Sequence, residues 1–553
     1  MMSPTPTRST RRSAARAGFD RLTERLAAGG HGPSSSTSSR TIWAASPENG
    51  WWRDVLTFGR QSAYAGHFDI HWREPLTLPQ LGQPFEEALA AGELRLVLDE
   101  IHGNFALAYF QTLLPLNPSS YGALANRLDD PVAMRMAEAA VTSSADFARA
   151  LRDILFEGGD RAILRQKLED VSSDHEFLRS LHEEQHWRLS HWKEGARHLS
   201  YRRFFEVTGL VGTRVEDPPV FQDLHRLVLE LVRQGKLQGL RIDHVDGLAE
   251  PKAYLDRLRA AVGADTYIVV EKILGGGEVL PESWPVAGTT GYEFIAALNE
   301  LFIDAGGLRL LDDAYRGLAG ETADPEEGRR LARQQMVECN FAGETSRLVA
   351  IAADVFPDLS SAEIATAVGA LLIAFPVYRT YGDGGPLSWQ DSAVLAVTAS
   401  QVMAELDDRR ALDHVLKLLE GKIDGDAAHE FRIRFQQLSG PVMAKAMEDT
   451  LSGGPGRLPS PHGRTRAAAA AWAFGNGHPR HQARRGCARK ALCLERGRGC
   501  FCPGGGAVAR DEPAVAAGSP QWRGAGAEYR MDALSGACRR LAGGFRQRTD
   551  GRA

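Results

Sequence analysis

The sequence predicts an α/β fold organised around a parallel sheet or barrel, and three observations carry that prediction. Helical and strand patterns alternate between 225 and 300. One strand, helix and strand in that stretch fit within about 30 residues, the span of a single βαβ unit, which requires parallel strands. With 43% hydrophobic and 24% charged residues in 553, core material is sufficient and wholesale disorder is excluded.

The elements follow in order. Residues 223–234 (DLHRLVLELVRQ) form an amphipathic helix with Leu227, Leu229, Leu231 and Val232 on its stripe, and Gly235 stands where it should stop. Residues 239–247 (GLRIDHVDG) read as a strand running into a loop. Pro251 opens the next helix, where its missing N–H costs nothing, and Tyr254, Leu255, Leu258, Ala261 and Val262 form the apolar face. Residues 267–270 (YIVV) are a short β-branched run, as expected of a strand covered on both sides. Residues 130–200 and 300–450 read as largely helical, and the stretch from about 75 to 200 is expected to be a helical insertion.

Charge divides the chain into three. Residues 1–42 carry 7 Arg against 2 acids, residues 451–553 carry 17 Arg and 1 Lys against 6 acids, and the body between them holds a net charge of −22. An acidic body excludes nucleic acid as its main partner, because phosphate binding needs clustered positive charge. The longest nearly apolar run, 364–377, is 14 residues and contains Thr366, too short to cross a bilayer. No membrane partner is expected. Cys339 is alone in the body, which excludes a disulfide framework. The Arg11-Arg12 pair lacks a following apolar segment, so export is not expected and a cytoplasmic location is. No metal or organic cofactor is implied, and the oligomeric state is left open.

Chemistry points to two strand ends. Alternate residues of a strand share a face, so Arg241 and Asp243 point one way while Leu240 and Ile242 pack the other. A guanidinium beside Asp243 favours its ionised form, as a nucleophile requires. Glu271 follows four apolar residues at the next strand end, where a raised pKa would suit a proton donor. Two carboxylates in contrasting environments on adjacent strand ends form the layout of a retaining glycosidase. For a βαβ unit taken alone, the commoner arrangement is a structural ion pair between Arg241 and Asp243, with Glu271 as a helix cap. Trp284 and Tyr292 are aromatic candidates for stacking on sugar rings, although such residues more often pack a core.

Residues 239–259 (GLRIDHVDGLAEPKAYLDRLR) and 268–294 (IVVEKILGGGEVLPESWPVAGTTGYEF) resemble the maltooligosyltrehalose synthases of the α-amylase superfamily of glycoside hydrolases. Similar matches are 48–72 (ENGWWRDVLTFGRQSAYAGHFDIHW), 201–218 (YRRFFEVTGLVGTRVEDP), 375–381 (FPVYRTY) and 435–450 (FQQLSGPVMAKAMEDT), so the resemblance covers about 43–450. It implies an incomplete (β/α)8 TIM barrel of the α-amylase type with helical insertions. The implied activity is intramolecular: the reducing-end α-1,4 bond of a maltooligosaccharide becomes an α,α-1,1 bond, in trehalose biosynthesis. It further implies Asp243 as nucleophile, Glu271 as acid/base, Arg241 as a positioning group, and His244 as a contact to the sugar at the cleaved bond. Lys272 and the loop 275–294, with Trp284 and Tyr292, are expected to help enclose the substrate, an α-glucan, in a water-poor site.

The family pattern also calls for an Asn-His pair after the third strand and a third catalytic Asp in a T-H-D-T-K-R-like motif, and neither occurs in the chain. Read one base out of frame, coding sequences for 37–43 (TSSRTIW) and 478–490 (HPRHQARRGCARK) can yield D-I-V-P-N-H-M and T-H-D-T-K-R-G-E-D-V-R-A. The expectation is therefore that 29–43 and a tail beginning between 450 and 478 are out-of-frame translation. Residues 1–42 are then aberrant or disordered, 43–450 form a partial catalytic barrel, and 451–553 form a basic disordered tail. On that expectation activity is impaired, and the alternative is an inactive remnant that at most binds α-glucan.

Overall fold

The computed structural model describes residues 8–29, 41–140, 147–157, 161–275, 278–319, 325–382 and 387–446. The expectations for 30–40 and for the tail beyond 446 lie outside these residues.

Short apolar runs bounded by turns give eleven strands among the described residues: β1 (Ile42–Ala44), β2 (Leu76–Leu81), β3 (Leu94–Asp99), β4 (Asn104–Tyr109), β5 (Thr112–Pro115), β6 (Trp187–His191), β7 (Arg203–Phe204), β8 (Val207–Gly212), β9 (Gly239–Ile242), β10 (Tyr267–Val270) and β11 (Gly288–Thr289). They form four small sheets, ordered β1-β8-β7, β2-β6, β3-β4-β5 and β11-β10-β9. The molecule is a helix-rich α/β fold. A closed eight-stranded barrel is not drawn by these sheets; β9, β10 and β11 form a three-stranded sheet in which both pairings are parallel.

The stretch from about 75 to 200, expected as a helical insertion, begins with strands instead. NFALAY is apolar enough to be buried along nearly its whole length, LRLVLD exposes Arg95 on one face, and the two pair antiparallel from Leu94↔Tyr109 to Asp99↔Asn104. Gly103, at φ +74, supplies the left-handed residue that turns the hairpin. Helices Tyr121–Leu128, Pro131–Ala140, Phe147–Glu157, Arg161–Val171 and His175–Glu183 follow, before the chain returns as β6 parallel to β2. Leu78, Leu89, Phe105, Tyr121, Leu164 and Trp187 fill the core beneath them.

The N-terminal segment expected to be aberrant or disordered contains a helix, Arg8–Ala28. Arg16 Nη2 reaches Glu230 Oε1 at 3.0 Å and Lys236 Nζ reaches Asp20 Oδ1 at 2.6 Å. Phe19 packs against the core that holds Phe221 and Leu229 of helix Pro218–Arg233. Residues 42–44, which straddle the end of the suspected region at 43, pair antiparallel with β8 from Ile42↔Gly212 to Ala44↔Leu210.

From Tyr292 onward the regular elements among the described residues are all helices, and residues from 337 to 442 pack their own core around Leu371, Leu412, Phe431 and Phe435. One of these helices opens on a capping box, in which the Ser360 hydroxyl accepts from the Glu363 N–H and the Glu363 carboxylate accepts from the Ser360 N–H. The last described helix, Asp426–Ala446, is tied to the first third of the chain by Arg434, which grips buried Asp69 at 2.6 and 2.7 Å. Arg202 takes the same carboxylate at 2.8 Å. None of the described helices is long and apolar enough to cross a membrane.

Candidate active site

The site is built on the β9–β10 pair. Parallel register sets Val269 beside Arg241 and Val270 beside Ile242, and the Glu271 N–H donates to the Ile242 carbonyl at 2.7 Å. Pairing at the last rung therefore delivers Asp243 and Glu271 to the same end of adjacent strands. Leu240 and Ile242 are buried beneath helix Pro251–Val262, with Leu255 and Leu258 in the same core, and Arg241 takes the opposite face.

Arg241 joins the two acids. Its Nη2 lies 2.6 Å from Asp243 Oδ1 and 3.4 Å from Glu271 Oε1, so these oxygens are within about 6 Å of each other, inside the reach of a retaining pair at roughly 5 to 5.5 Å. Burial pushes the Glu271 carboxyl up to about 7, and the neighbouring Asp243 carboxylate, both as a charge and as a hydrogen-bond partner, pushes the same way. Two further donors hold the Glu271 carboxylate: the His244 N–H donates to Oε2 at 2.9 Å, and the Tyr292 hydroxyl to Oε1 at 3.3 Å. Tyr292 is itself pushed up to about 12 by burial and by Glu271, so it stays a donor at neutral pH.

His244 sits at φ 51, in the left-handed region, directly after Asp243. Its ring is edge-on to Phe204 at 4.9 Å, and burial lowers its pKa to about 4, leaving the imidazole neutral. His182 and His225 are likewise lowered to about 4 by burial. Unfolded, all three rings would take protons near pH 6.5, so stability is expected to fall as pH drops from about 6.5 towards 4, by on the order of 1–3 kcal/mol per ring. Glu271, raised in the fold, works in the opposite direction over part of that range, but three rings outweigh one carboxyl. Urea midpoints measured at pH 7 and pH 5 check this; equal midpoints would contradict it.

Arg241, Asp243, His244, Glu271 and Tyr292 thus come together, whereas two other expected substrate contacts do not. Lys272 follows Glu271 directly and so points to the other side, where its ammonium is fully buried between Asp246 and Glu278. Trp284 belongs to the core, edge-on to Tyr381 at 5.0 Å and 5% exposed. Neither side chain is directed to the acid pair, and the cause is the same for both: local position predicts reach to the strand end but not direction away from it. The residues the sequence reading missed are Asp246, Glu278, Tyr378, Arg379 and Tyr381, of which the last three lie in the FPVYRTY string and Asp246 in GLRIDHVDG. A broad cleft of about 560 Å³ lined by Gln80, Tyr109 and Phe110 shares no residue with the carboxylate pair. No cluster of three or more His, Cys, Asp or Glu suited to a metal ion occurs among the described residues.

The fold and site define an α/β protein with a paired, guanidinium-bridged acid couple at the ends of parallel strands. A putative maltooligosyl trehalose synthase of Mycobacterium tuberculosis (strain CDC 1551 / Oshkosh) is 30% identical over 420 residues, 73% of this chain and 43% of that protein. The solved maltooligosyltrehalose synthase from Arthrobacter ramosus superposes with a TM-score of 0.59 at 27% identity, covering 77% of this chain and 47% of that one. A second solved maltooligosyl trehalose synthase gives 0.54 at 26% identity over 78% of this chain and 45% of its own. No protein-family model matches the chain. The chain is a homologue of the maltooligosyl trehalose synthases, and it spans less than half the length of the curated relatives it matches.

Proposed function

We propose that residues 43–446 carry the site of an intramolecular transglycosylation that turns the reducing-end α-1,4 bond of a maltooligosaccharide into an α,α-1,1 bond. In this reading β9, β10 and β11 are three neighbouring strands of an α-amylase-type (β/α)8 barrel. The observation that carries it is the sharing of Arg241 by Asp243 and Glu271, with Glu271 raised to about 7.

The chemistry follows from that contrast. Glu271, close to half protonated at neutral pH, gives its proton to the glycosidic oxygen as the bond to the reducing-end glucose breaks. Asp243, held by Arg241, attacks the anomeric carbon and forms a covalent glycosyl intermediate with inverted configuration. Glu271, now ionised, takes the proton from the anomeric hydroxyl of the released glucose, which attacks the intermediate and displaces Asp243. A second inversion restores the α configuration at the first sugar. Water competing for the same carbon would give hydrolysis, so the outcome depends on enclosure.

The T-H-D-T-K-R-like segment expected to supply a third carboxylate does not occur in this sequence, and the turnover proposed here is accordingly low. Maltopentaose incubated with the full chain should lose reducing ends without releasing much glucose. Rising reducing power would instead establish an ordinary α-glucan hydrolase. Unchanged reducing power with measurable glucan affinity would establish a binding remnant.

A further inference from the structure

Behind the acid pair lies a second, largely buried charge cluster that the proposed chemistry does not use. Lys272 Nζ is 3.3 Å from Asp246 Oδ2 and 3.0 Å from Glu278 Oε1, and it donates to the Ile273 carbonyl at 3.1 Å. The ammonium also faces the rings of Tyr378 and Tyr381 at 5.7 and 5.6 Å. Asp246 is held in turn: the Tyr381 hydroxyl donates to its Oδ1, and Arg379 Nη1 donates to the carbonyls of Asp246 and Leu248, each at 2.6 Å. Arg379 completes its own set on the Ala249 carbonyl at 3.3 Å and Gln436 Oε1 at 2.8 Å.

Placement gives this cluster its meaning. Lys272 is the residue after Glu271, and Asp246 is three residues after Asp243. Strand pairing ends at the Glu271 N–H, so beyond that rung no backbone ladder fixes the β9 loop against the β10 loop. The Lys272–Asp246 pair spans that gap from the far side. Burying an ammonium and a carboxylate costs several kcal/mol in desolvation, and an apolar pair would pack there at least as stably. The best-attested use of such a pair is to fix register.

We infer that Lys272 and Asp246 form an ion-pair staple that sets the separation of Glu271 and Asp243, which makes Lys272 a positioning residue and not a sugar contact. Resting on the proposed function only for its chemical purpose, the staple is a statement about geometry. It can therefore be tested whether or not the chain turns over substrate.

The test is the protonation of Glu271, read as the pH dependence (pH 5 to 9) of the unfolding free-energy difference between each protein and its Glu271→Gln counterpart. The double variant Lys272→Met with Asp246→Asn removes one positive and one negative charge, so it leaves the net charge near Glu271 unchanged. If the staple sets the pair, opening it moves Asp243 away from Glu271, and the Glu271 midpoint drops by at least one pH unit, a tenfold loss of proton affinity. A folded double variant whose midpoint stays where it is in the unaltered chain overturns the inference and leaves Lys272 merely structural. Should the double variant not fold, Lys272→Leu with Asp246→Asn, which also keeps the net charge and cannot rebuild the ion pair, is read against the same criterion. Loss of transglycosylation in the unaltered chain would bear on the proposed function, whereas an unmoved midpoint bears on the staple alone.

Discussion

Glu271→Gln should lower the rate of transglycosylation by about 10²–10⁴-fold while changing maltopentaose affinity little, because the amide keeps the shape and loses only the transferable proton. Asp243→Asn should cost at least as much, since a neutral amide cannot act as the attacking nucleophile and no longer neutralises the Arg241 guanidinium at 2.6 Å. The two differ in pH dependence. With Glu271 held at about 7 by burial and by Asp243, the rate of the unaltered chain should fall as pH rises through 7, where the acid form is lost. Linkage gives an independent reading of the same group. A carboxyl raised in the fold contributes stability fully present below its unfolded value and lost as pH climbs through 7. Glu271→Gln should therefore gain on the unaltered chain between pH 5 and 8, by on the order of 1–3 kcal/mol. Initial rates from pH 5 to 9, with calorimetric binding of maltopentaose at pH 6, check both halves. A rate with no descending limb, or a variant within tenfold of the unaltered chain, would remove Glu271 from the role of acid.

The pairing that makes this prediction possible was legible in the sequence. GLRI alternates so plainly that the shared face of Arg241 and Asp243, and the buried face of Leu240 and Ile242, follow from a two-residue period. The same rule, carried two residues past the strand, sends Lys272 away from Glu271, but reading Lys272 as part of the enclosing loop obscured this. Trp284 was ambiguous for a different reason: an aromatic near a strand end serves core or ligand equally well until its neighbours are known, and here they are Tyr381 and the core around Leu255. The strands at 76–81 and 94–115 were lost in a stretch whose later helices are Ala- and Leu-rich. Their apolar runs are short enough to read as either element. Least legible was whatever joins distant segments. Tyr378, Arg379 and Tyr381 are recognisable as part of a matched string, yet nothing local says that Arg379 caps the carbonyls of Asp246 and Leu248.

Asp69 is the extreme case, and it carries the largest stability effect expected outside the active site. Its carboxylate is buried, takes Arg202 at 2.8 Å and Arg434 at 2.6 and 2.7 Å, and is held far below the ordinary carboxylate range because the two guanidinium groups outweigh its burial. Asp69 and Arg434 are 365 positions apart, so the contact closes the first third of the chain onto helix Asp426–Ala446. Asp69→Ala removes the shared anion and leaves two guanidinium groups, mostly buried, facing each other. The cost should be about 3–5 kcal/mol, the range for breaking a buried pair from one side. Arg434→Met should cost less, because Arg202 still compensates Asp69. The sign with pH follows from the depressed carboxyl: its contribution is complete above pH 4 and is lost as pH falls below that, so the penalty of Asp69→Ala should be constant from pH 5 to 8. Urea unfolding at pH 7 checks the order, with the midpoint of Asp69→Ala below that of Arg434→Met. A midpoint for Asp69→Ala within error of the unaltered chain would mean that helix Asp426–Ala446 is held by its own core around Phe431 and Phe435 and not by this anion.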